Sequence, residues 1–191
     1  MGKINGKYIG DIMLKKIKET NIPDCKIIVF DTRADLRGDF KEIYNVKDFS
    51  IINQKFTVRQ INCSFNYKNA MRGFHYQIFP PQARVMFCTH GAAWLVAVDM
   101  RKESPTYLQY VNTIVSSING EALFAPGRFA WALLALTDCN VIYYMDELYD
   151  DQNKMRLTWN DSIINIKWPI ENKKMIISYE DMYCSSGFGA I

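Results

Sequence analysis

Short apolar runs separated by turn residues make up most of the chain after residue 26. The runs are rich in Val, Ile, Phe, Tyr and Trp, which favour β-strands over helices. The clearest runs are residues 26–30, 55–64, 85–89, 93–100, 106–116 and 141–145. Turn-forming pairs lie between them, among them Arg37-Gly38, Asn119-Gly120 and Pro126-Gly127. Many short strands joined by turns predict an all-β protein, built as an antiparallel sandwich or barrel.

The segment before the strands has a weaker pattern. Ile12, Ile17 and Ile22 show weak helical spacing, and Pro23-Asp24 marks a boundary. We therefore expect residues 1–23 to form a short helix or an extended arm ahead of the core.

The C-terminal part predicts small helical elements rather than a second unit. Residues 179–183 fit a short helix, and residues 151–155 fit a turn or a helical turn. The chain has no internal repeat, low-complexity tract or linker. We therefore expect a single domain over residues 1–191, with the core and its C-terminal closure in residues 26–181.

Composition and charge remove several classes of function. The chain is 49% hydrophobic and 23% charged, with a formal net charge of +3, which is ordinary for a globular protein. A nucleic-acid binder would show clustered Lys and Arg, so we expect no nucleic-acid partner. The longest apolar stretch, residues 129–136, is far shorter than the roughly 20 residues of a membrane helix, so we expect no membrane attachment.

The cysteines predict a cytoplasmic protein without a metal. Five cysteines are scattered along the chain, and no two have Cys-x-x-Cys spacing. An odd number without an apolar leader favours reduced thiols over disulfides. Dispersed cysteines and only two histidines argue against a zinc cluster, and we expect no metal and no cofactor.

One hexapeptide stands out because it holds one of the two histidines: Arg-Gly-Phe-His-Tyr-Gln at residues 72–77. Histidine transfers protons near neutral pH. Further motifs surround it in order: Asp-Leu-Arg-Gly-Asp-Phe-Lys-Glu at 35–42, Gln-Ile-Asn-Cys-Ser at 60–64, Val-Ala-Val-Asp-Met-Arg at 96–101, Ser-Pro-Thr at 104–106, Trp-Asn-Asp at 159–161, Ile-Lys-Trp-Pro at 166–169 and Ile-Ser-x-x-Asp at 177–181. Together these motifs resemble the dTDP-4-dehydrorhamnose 3,5-epimerase family of nucleotide-sugar enzymes.

The resemblance implies a fold, a partner and a reaction. The family folds as a cupin-type jelly roll, and it forms homodimers in which an N-terminal strand crosses to the other subunit. Its substrate is a 4-keto-6-deoxy sugar on a nucleoside diphosphate. A base removes a proton beside the ketone, and the enolate is reprotonated from the opposite face at C3, C5 or both. Such chemistry needs a base, a group that stabilises the oxyanion, and an acid on the far side.

The resemblance assigns these roles to particular residues. His75 matches the base and Asp181 its carboxylate partner, which would fix the imidazole tautomer. Taken alone, a histidine between Phe74 and Tyr76 favours a core position with a hydrogen bond to the backbone. The acid matches Tyr144, with Tyr143 as the alternative, because neighbouring strand residues point to opposite faces. Arg84 matches the oxyanion group.

Substrate binding falls on a second set of residues. By resemblance Arg72 contacts the diphosphate, with Gln60 and Asn62 nearby, since planar guanidinium groups suit phosphate oxygens. Arg37 and Glu42 match positions near the nucleotide base, although Arg37 fits a plain turn residue before Gly38 equally well. The last two candidates are Trp131 and Trp168, and Trp168 also fits a core position.

Three departures from the family pattern cluster near the expected oxyanion site. Arg84 stands where the family has lysine, Trp131 where it has histidine, and Leu95 where it has aspartate. Arginine keeps a fixed positive charge, whereas tryptophan and leucine do not titrate. We expect a drier and bulkier pocket. The alternatives to an epimerase are a non-catalytic nucleotide-sugar-binding homologue and a 3,4-ketoisomerase.

Overall fold

The computed structural model describes residues 14–184. Within that range the chain forms mostly β-strands with two short helices. The strands are β1 (Leu14–Glu19), β2 (Lys26–Phe30), β3 (Arg33–Asp35), β4 (Gly38–Phe40), β5 (Gln60–Asn66), β6 (Ala70–Gln77), β7 (Arg84–His90), β8 (Ala92–Asp99), β9 (Tyr110–Ser116), β10 (Glu121–Ala125), β11 (Phe129–Ala135), β12 (Cys139–Met145), β13 (Lys154–Arg156) and β14 (Ile176–Ile177). The helices are α1 (Val46–Ile52) and α2 (Tyr179–Met182), and 3-10 turns occupy Asp151–Asn153 and Asn172–Lys174.

Two six-stranded sheets form the body of the fold. The first has the strand order β1-β2-β10-β7-β12-β5, and the second has the order β13-β6-β11-β8-β9 with β14 paired to β6. All pairings are antiparallel except that of β14 with β6. Strands β3 and β4 form a separate hairpin. Between residues 14 and 184 no strand pairing joins the two large sheets, so the jelly roll is an open sandwich.

Three apolar layers hold the sandwich together. The layer between the sheets includes Leu95, Leu123 and Leu133. Phe49 of α1 covers the outer face of the first sheet, and Leu157 covers that of the second. Phe49 is 1% exposed, and burying a side chain of this size stabilises the fold by roughly 2–3 kcal/mol. The side chain of Asn45 begins α1 by accepting a hydrogen bond from the Lys47 N–H at 2.9 Å.

The all-β prediction is confirmed, and residues 26–30 form a strand as expected. The helical alternative for the N-terminal segment is wrong for residues 14–19, which form β1, whereas residues 9–13 lie outside the described range. Residues 179–182 form the predicted C-terminal helix. Neither helix in the described range has the length and apolarity that a membrane span requires.

Candidate active site

His75 and Asp181 form a hydrogen-bonded pair. His75 Nε2 lies 2.7 Å from Asp181 Oδ1. His75 projects from β6, and Asp181 projects from α2, whose first turn is capped by the Ser178 hydroxyl. The Asp181 residue is 5% exposed, whereas the His75 side chain is 31% exposed. The carboxylate is therefore held inside the protein, and the imidazole reaches towards solvent.

A bulge in β6 brings His75 into this position. His75 pairs with Trp131 and Arg72 with Leu133, so three steps along β6 match two steps along β11. In a regular strand, residues three apart point to opposite faces. The extra residue places Arg72 and His75 on one side. Gly73 allows the bulge because its φ is +116° and an added Cβ would lie 2.4 Å from the Trp131 carbonyl oxygen.

The surroundings of Asp181 favour its charged form. Burial raises the pKa of this carboxyl, but the hydrogen bond and charge of His75 and the hydrogen bond from the Gly73 N–H outweigh burial, so the pKa is lowered. The Gly73 N–H donates to Asp181 Oδ2 at 3.1 Å. A charged Asp181 accepts a hydrogen bond from the Nε2–H of His75, which leaves Nδ1 as the unprotonated ring nitrogen.

A cavity of 240 Å³ lies beside the imidazole. Both sheets line it, with His75 from the second sheet and residues of β5, β7 and β12 from the first. Its lining includes Asn62, His75, Arg84, Tyr143, Tyr149 and Lys154. A wider cavity of 600 Å³ lies elsewhere, between the segment 39–43 and strands β7 and β10. The histidine–carboxylate pair selects the smaller cavity as the candidate active site.

Arg84 supplies a half-buried positive charge to this cavity. Its Nε–H donates to Gln82 Oε1 at 2.9 Å. Burial lowers the pKa of Arg84 to about 10, while the neighbouring Tyr143 and Tyr149 act in the opposite direction. The guanidinium is therefore charged at neutral pH. A fixed charge in a site shielded from water stabilises a developing anion effectively.

Tyr143, and not Tyr144, faces the cavity. The Tyr143 hydroxyl lies 2.9 Å from Ser64 Oγ. Burial raises the pKa of this phenol, and the Ser64 hydrogen bond and the charges of Arg72 and Arg84 counteract the rise. Tyr144, which the resemblance matched to the acid, does not line the cavity, because its ring packs on the outer face of the first sheet against Phe49 and Phe87.

Three glutamines hold a loop over the cavity. Gln60 Oε1 accepts the Tyr149 N–H at 2.7 Å, and Gln77 Oε1 accepts the Asp150 N–H at 2.9 Å. The Gln82 side chain donates to the Glu147 carbonyl at 2.7 Å. Gln60, expected as a phosphate neighbour, therefore acts in this structure as a support for the loop that carries Tyr149.

Tyr149 and Lys154 are cavity residues that the sequence did not single out. Lys154 Nζ donates to the Tyr149 hydroxyl at 2.9 Å and to Asp151 Oδ1 at 2.8 Å. The register of β13 with β6 pairs Lys154 with Gln77 and so places it at the cavity. Residues 151–155 carried only a turn signal, which gives no indication of a site.

Asn62 lines the cavity, whereas Arg72 is not one of its lining residues and acts on Tyr143 through its charge. Asn62 Oδ1 accepts a hydrogen bond from Gln60 Nε2 at 3.1 Å. Arg72 is exposed on β6, and its Nε–H donates to Asn66 Oδ1 at 2.7 Å. The structure therefore brings Asn62 together with His75 in the cavity, and it places Arg72 beside Asn66 of strand β5.

Four other candidates lie away from the cavity. Trp168 packs against Trp94 with ring centroids 5.3 Å apart, and its Nε1 donates to the Trp159 carbonyl, so it is a core residue. Trp131 belongs to the layer between the sheets, where its Nε1 is buried without a partner. The other two, Arg37 and Glu42, do not line the cavity within this chain.

The fully buried Leu95 also belongs to the layer between the sheets. Of the three departures from the family pattern, only Arg84 therefore lines the cavity. Across residues 14–184 no group of three or more His, Cys, Asp or Glu side chains is arranged to hold a metal ion.

Comparisons with known proteins identify the family of this chain. The family model described as dTDP-4-dehydrorhamnose 3,5-epimerase matches residues 19–186. A dTDP-4-dehydrorhamnose 3,5-epimerase of Shigella flexneri is 35% identical over 157 residues, which cover 81% of this chain and 87% of the relative.

Solved structures show the same likeness. A dTDP-6-deoxy-D-glucose 3,5-epimerase of Legionella pneumophila, in complex with dTDP-4-keto-L-rhamnose, superposes with a TM-score of 0.84 at 28% identity, covering 87% of this chain and 89% of the other. ChmJ, a 3'-monoepimerase of Streptomyces bikiniensis in complex with dTDP-quinovose, superposes with a TM-score of 0.77 at 27% identity, covering 85% and 83%. With its fold, its histidine–carboxylate pair and the family model in agreement, the chain belongs to the dTDP-4-dehydrorhamnose 3,5-epimerase family.

Proposed function

We propose that this protein is an epimerase that inverts C3, C5 or both in a nucleoside-diphosphate 4-keto-6-deoxy sugar. The observation that carries the proposal is the His75–Asp181 pair, 2.7 Å apart, beside a cavity that Arg84 and Tyr143 also line. A base, a fixed positive charge and a second proton-transfer group in one cavity are the parts that inversion beside a ketone requires.

The chemistry follows from the arrangement. His75 Nδ1 takes the proton from the carbon beside the ketone, and Asp181 stabilises the imidazolium that forms. Arg84 stabilises the negative charge on the enolate oxygen. Tyr143 then gives its hydroxyl proton to the opposite face of the same carbon, and the ketone forms again.

The size of the cavity supports a division of the substrate between two places. Cavities that enclose a whole drug-sized ligand measure roughly 300–1,000 Å³. At 240 Å³ the cavity suits the sugar alone. The diphosphate then lies outside it, against the exposed guanidinium of Arg72, whose geometry suits phosphate oxygens.

We also propose a homodimer in which the β3–β4 hairpin reaches the cavity of the other subunit. The tip of this hairpin is exposed in the single chain, since Leu36 is fully exposed and the Arg37 side chain is 90% exposed. Phe40, also on the hairpin, is 61% exposed. An exposed hairpin with two apolar side chains fits a contact with a second copy, where Arg37, which pairs with Asp35 in the single chain, approaches the nucleotide. Leu36→Asp is expected to shift the protein from dimer to monomer in light scattering, whereas an unchanged dimer contradicts this assignment.

The cellular location stays a prediction. All five cysteines are free thiols and three of them are buried, which fits a reducing cytoplasm. We propose a cytoplasmic enzyme that makes precursors for glycan synthesis.

The test is solvent isotope exchange. The protein is incubated with a dTDP-4-keto-6-deoxy sugar in heavy water, and deuterium at C3 and C5 is followed separately by NMR. Exchange followed by inversion at either carbon supports the proposal. Nucleotide-sugar binding without exchange, across several ketosugars, identifies a binding protein instead. A product with its carbonyl moved to C3 identifies a 3,4-ketoisomerase.

A further inference from the structure

A continuous series of hydrogen bonds joins four side chains: Arg72, Asn66, Ser64 and Tyr143. Arg72 Nε lies 2.7 Å from Asn66 Oδ1, and Asn66 Nδ2 lies 3.0 Å from Ser64 Oγ. Ser64 Oγ in turn lies 2.9 Å from the Tyr143 hydroxyl oxygen. The reaction described above assigns no role to Ser64 or Asn66, although Asn66 is only 1% exposed.

The direction of donation along this series of hydrogen bonds is fixed at Arg72. An arginine Nε–H donates and never accepts, so the Asn66 atom that faces it is the carbonyl oxygen. The Asn66 amide nitrogen therefore faces Ser64 and donates to its hydroxyl oxygen. Asn66 cannot be reversed without setting two donors against each other at Arg72.

The same reasoning about donors and acceptors applies to Ser64. Its oxygen already accepts from Asn66, and its single proton needs an acceptor. The Tyr143 oxygen at 2.9 Å lies within the usual O–H···O range, whereas Asn66 Oδ1 at 3.5 Å lies outside it. Donation from Ser64 to Tyr143 uses the serine proton at the shorter of its two contacts and leaves the proton of Tyr143 free for the cavity.

We propose that Ser64 and Asn66 are positioning residues that point the Tyr143 proton into the cavity, in a direction that Arg72 sets. This inference rests on the proposed function. In the acid step the O–H bond of Tyr143 breaks, the electron pair of the enolate forms the new C–H bond, and the C=O bond forms again. The phenolate accepts the Ser64 hydrogen bond until solvent water returns a proton, and His75 releases its own proton to water.

The arrangement also connects substrate binding with the acid. Arg72 is the proposed contact of the diphosphate, and it is the first donor of the series that ends at Tyr143. A truncated ketosugar without the diphosphate is therefore expected to lose inversion more than exchange, since only inversion depends on the acid.

Three substitutions test the inference. Ser64→Ala removes the donor to Tyr143, and Ser64→Thr retains a hydroxyl. Asn66→Asp keeps the size and pairs with Arg72, but the new carboxylate only accepts, so it attracts the Ser64 proton and draws the Tyr143 proton away from the cavity. Ser50→Ala is the matched control, because the Ser50 hydroxyl donates to the exposed Lys47 carbonyl of α1.

The measurement compares inversion with deuterium exchange in each variant. Ser64→Ala and Asn66→Asp are expected to lower the ratio of inversion to exchange roughly 10- to 100-fold, the usual effect of one hydrogen bond to a charged group. Ser64→Thr and Ser50→Ala are expected to keep the ratio within about threefold. A ratio unchanged in both Ser64→Ala and Asn66→Asp overturns the inference while leaving the epimerase proposal intact.

A second readout does not depend on turnover. Fluorotyrosine placed at position 143 has a lower intrinsic pKa and titrates in an accessible range, where fluorine NMR reports its ionisation. Loss of the Ser64 donor is expected to raise this pKa, because the donor stabilises the phenolate. If the wild-type protein exchanges no deuterium, the proposed function fails, and this titration alone decides whether Ser64 donates to Tyr143. An unchanged pKa in Ser64→Ala shows that it does not.

Discussion

His75 and Asp181 are 106 residues apart in the chain, yet His75 Nε2 and Asp181 Oδ1 are 2.7 Å apart in the structure. The contact joins β6, second in the strand order of the second sheet, to a helix that follows the last strand. The base and its partner therefore meet only where residues 176–182 pack against β6.

Replacement of the base is expected to stop the reaction without preventing binding. His75→Ala removes the group that takes the proton, so the rate of deuterium exchange should fall roughly 10²- to 10⁴-fold. The affinity for the nucleoside diphosphate should change only a few-fold. His90→Ala is the matched control, since His90 is the other histidine and is exposed at the end of β7. Exchange at the wild-type rate in His75→Ala would refute the assignment.

Asp181→Asn is expected to retain the shape of the site and lose its activity. The amide cannot stabilise the imidazolium and allows the wrong tautomer, a change that costs up to roughly 10⁴-fold in comparable triads. Steady-state kinetics should show the loss in kcat. Glu180→Gln is the control, because Glu180 is the neighbouring carboxylate of α2 and pairs with Arg156 instead. Equal losses in the two variants would point to damage to the helix rather than to the base.

The two adjacent tyrosines are expected to behave differently. Tyr143→Phe should leave proton abstraction intact while inversion falls, so that substrate exchanges deuterium with little inverted product. Tyr144→Phe should behave as the wild type, because its ring lies in the outer aromatic layer. NMR of the product measures both outcomes. Loss of inversion in Tyr144→Phe alone would identify Tyr144, and not Tyr143, as the acid.

Arg84 is expected to act through its charge. Arg84→Gln removes a fixed cation from the cavity wall, and loss of one such donor lowers kcat roughly 10²- to 10³-fold. Arg84→Lys restores a positive charge and should recover part of the rate. Circular dichroism and thermal unfolding serve to confirm that both variants are folded. A rate in Arg84→Gln close to that of the wild type would exclude Arg84 as the enolate contact.

Asp146 is expected to make the stability depend on pH. Burial raises its pKa to about 6, although its Oδ1 accepts the Ala83 N–H at 2.7 Å. The folded state then binds more protons than the unfolded state between about pH 4 and 6, so this group's contribution to stability falls as the pH rises through that window.

Asp146→Asn removes this effect, because the amide does not titrate. From pH 4 to pH 7 the variant should gain on the order of 1–2 kcal/mol in unfolding free energy relative to the wild type, after allowance for partial exposure. Urea unfolding at each pH measures the difference. A difference that stays constant with pH contradicts the assignment.

The sequence predicted strands best where alternation or β-rich composition was clear, as in β2 and β12. It did not predict α1, whose seven residues are held by one buried phenylalanine and the Asn45 cap rather than by a repeating pattern. Strand β11 is buried along its whole length, so it shows no alternation. In β6 the bulge at Gly73 interrupts the two-residue period.

The site was predicted in part, and the physical reasons differ between residues. Alternation shows that Tyr143 and Tyr144 point to opposite faces, but which face lies between the sheets depends on the tertiary packing. Trp168 shares its motif with the family and nevertheless packs in the core. Lys154 reaches the cavity only through strand pairing with β6, and a local pattern contains no information about such pairing.

The short contact between the α2 segment and β6 affects how the protein responds to heating. β14 holds to β6 through two residue pairs, and α2 is four residues long. Short elements of this kind fray at a small fraction of the free energy that global unfolding requires. Each fraying event moves the Asp181 carboxylate away from His75 while the sandwich stays folded. On heating, activity and β-structure are therefore lost in two separate transitions.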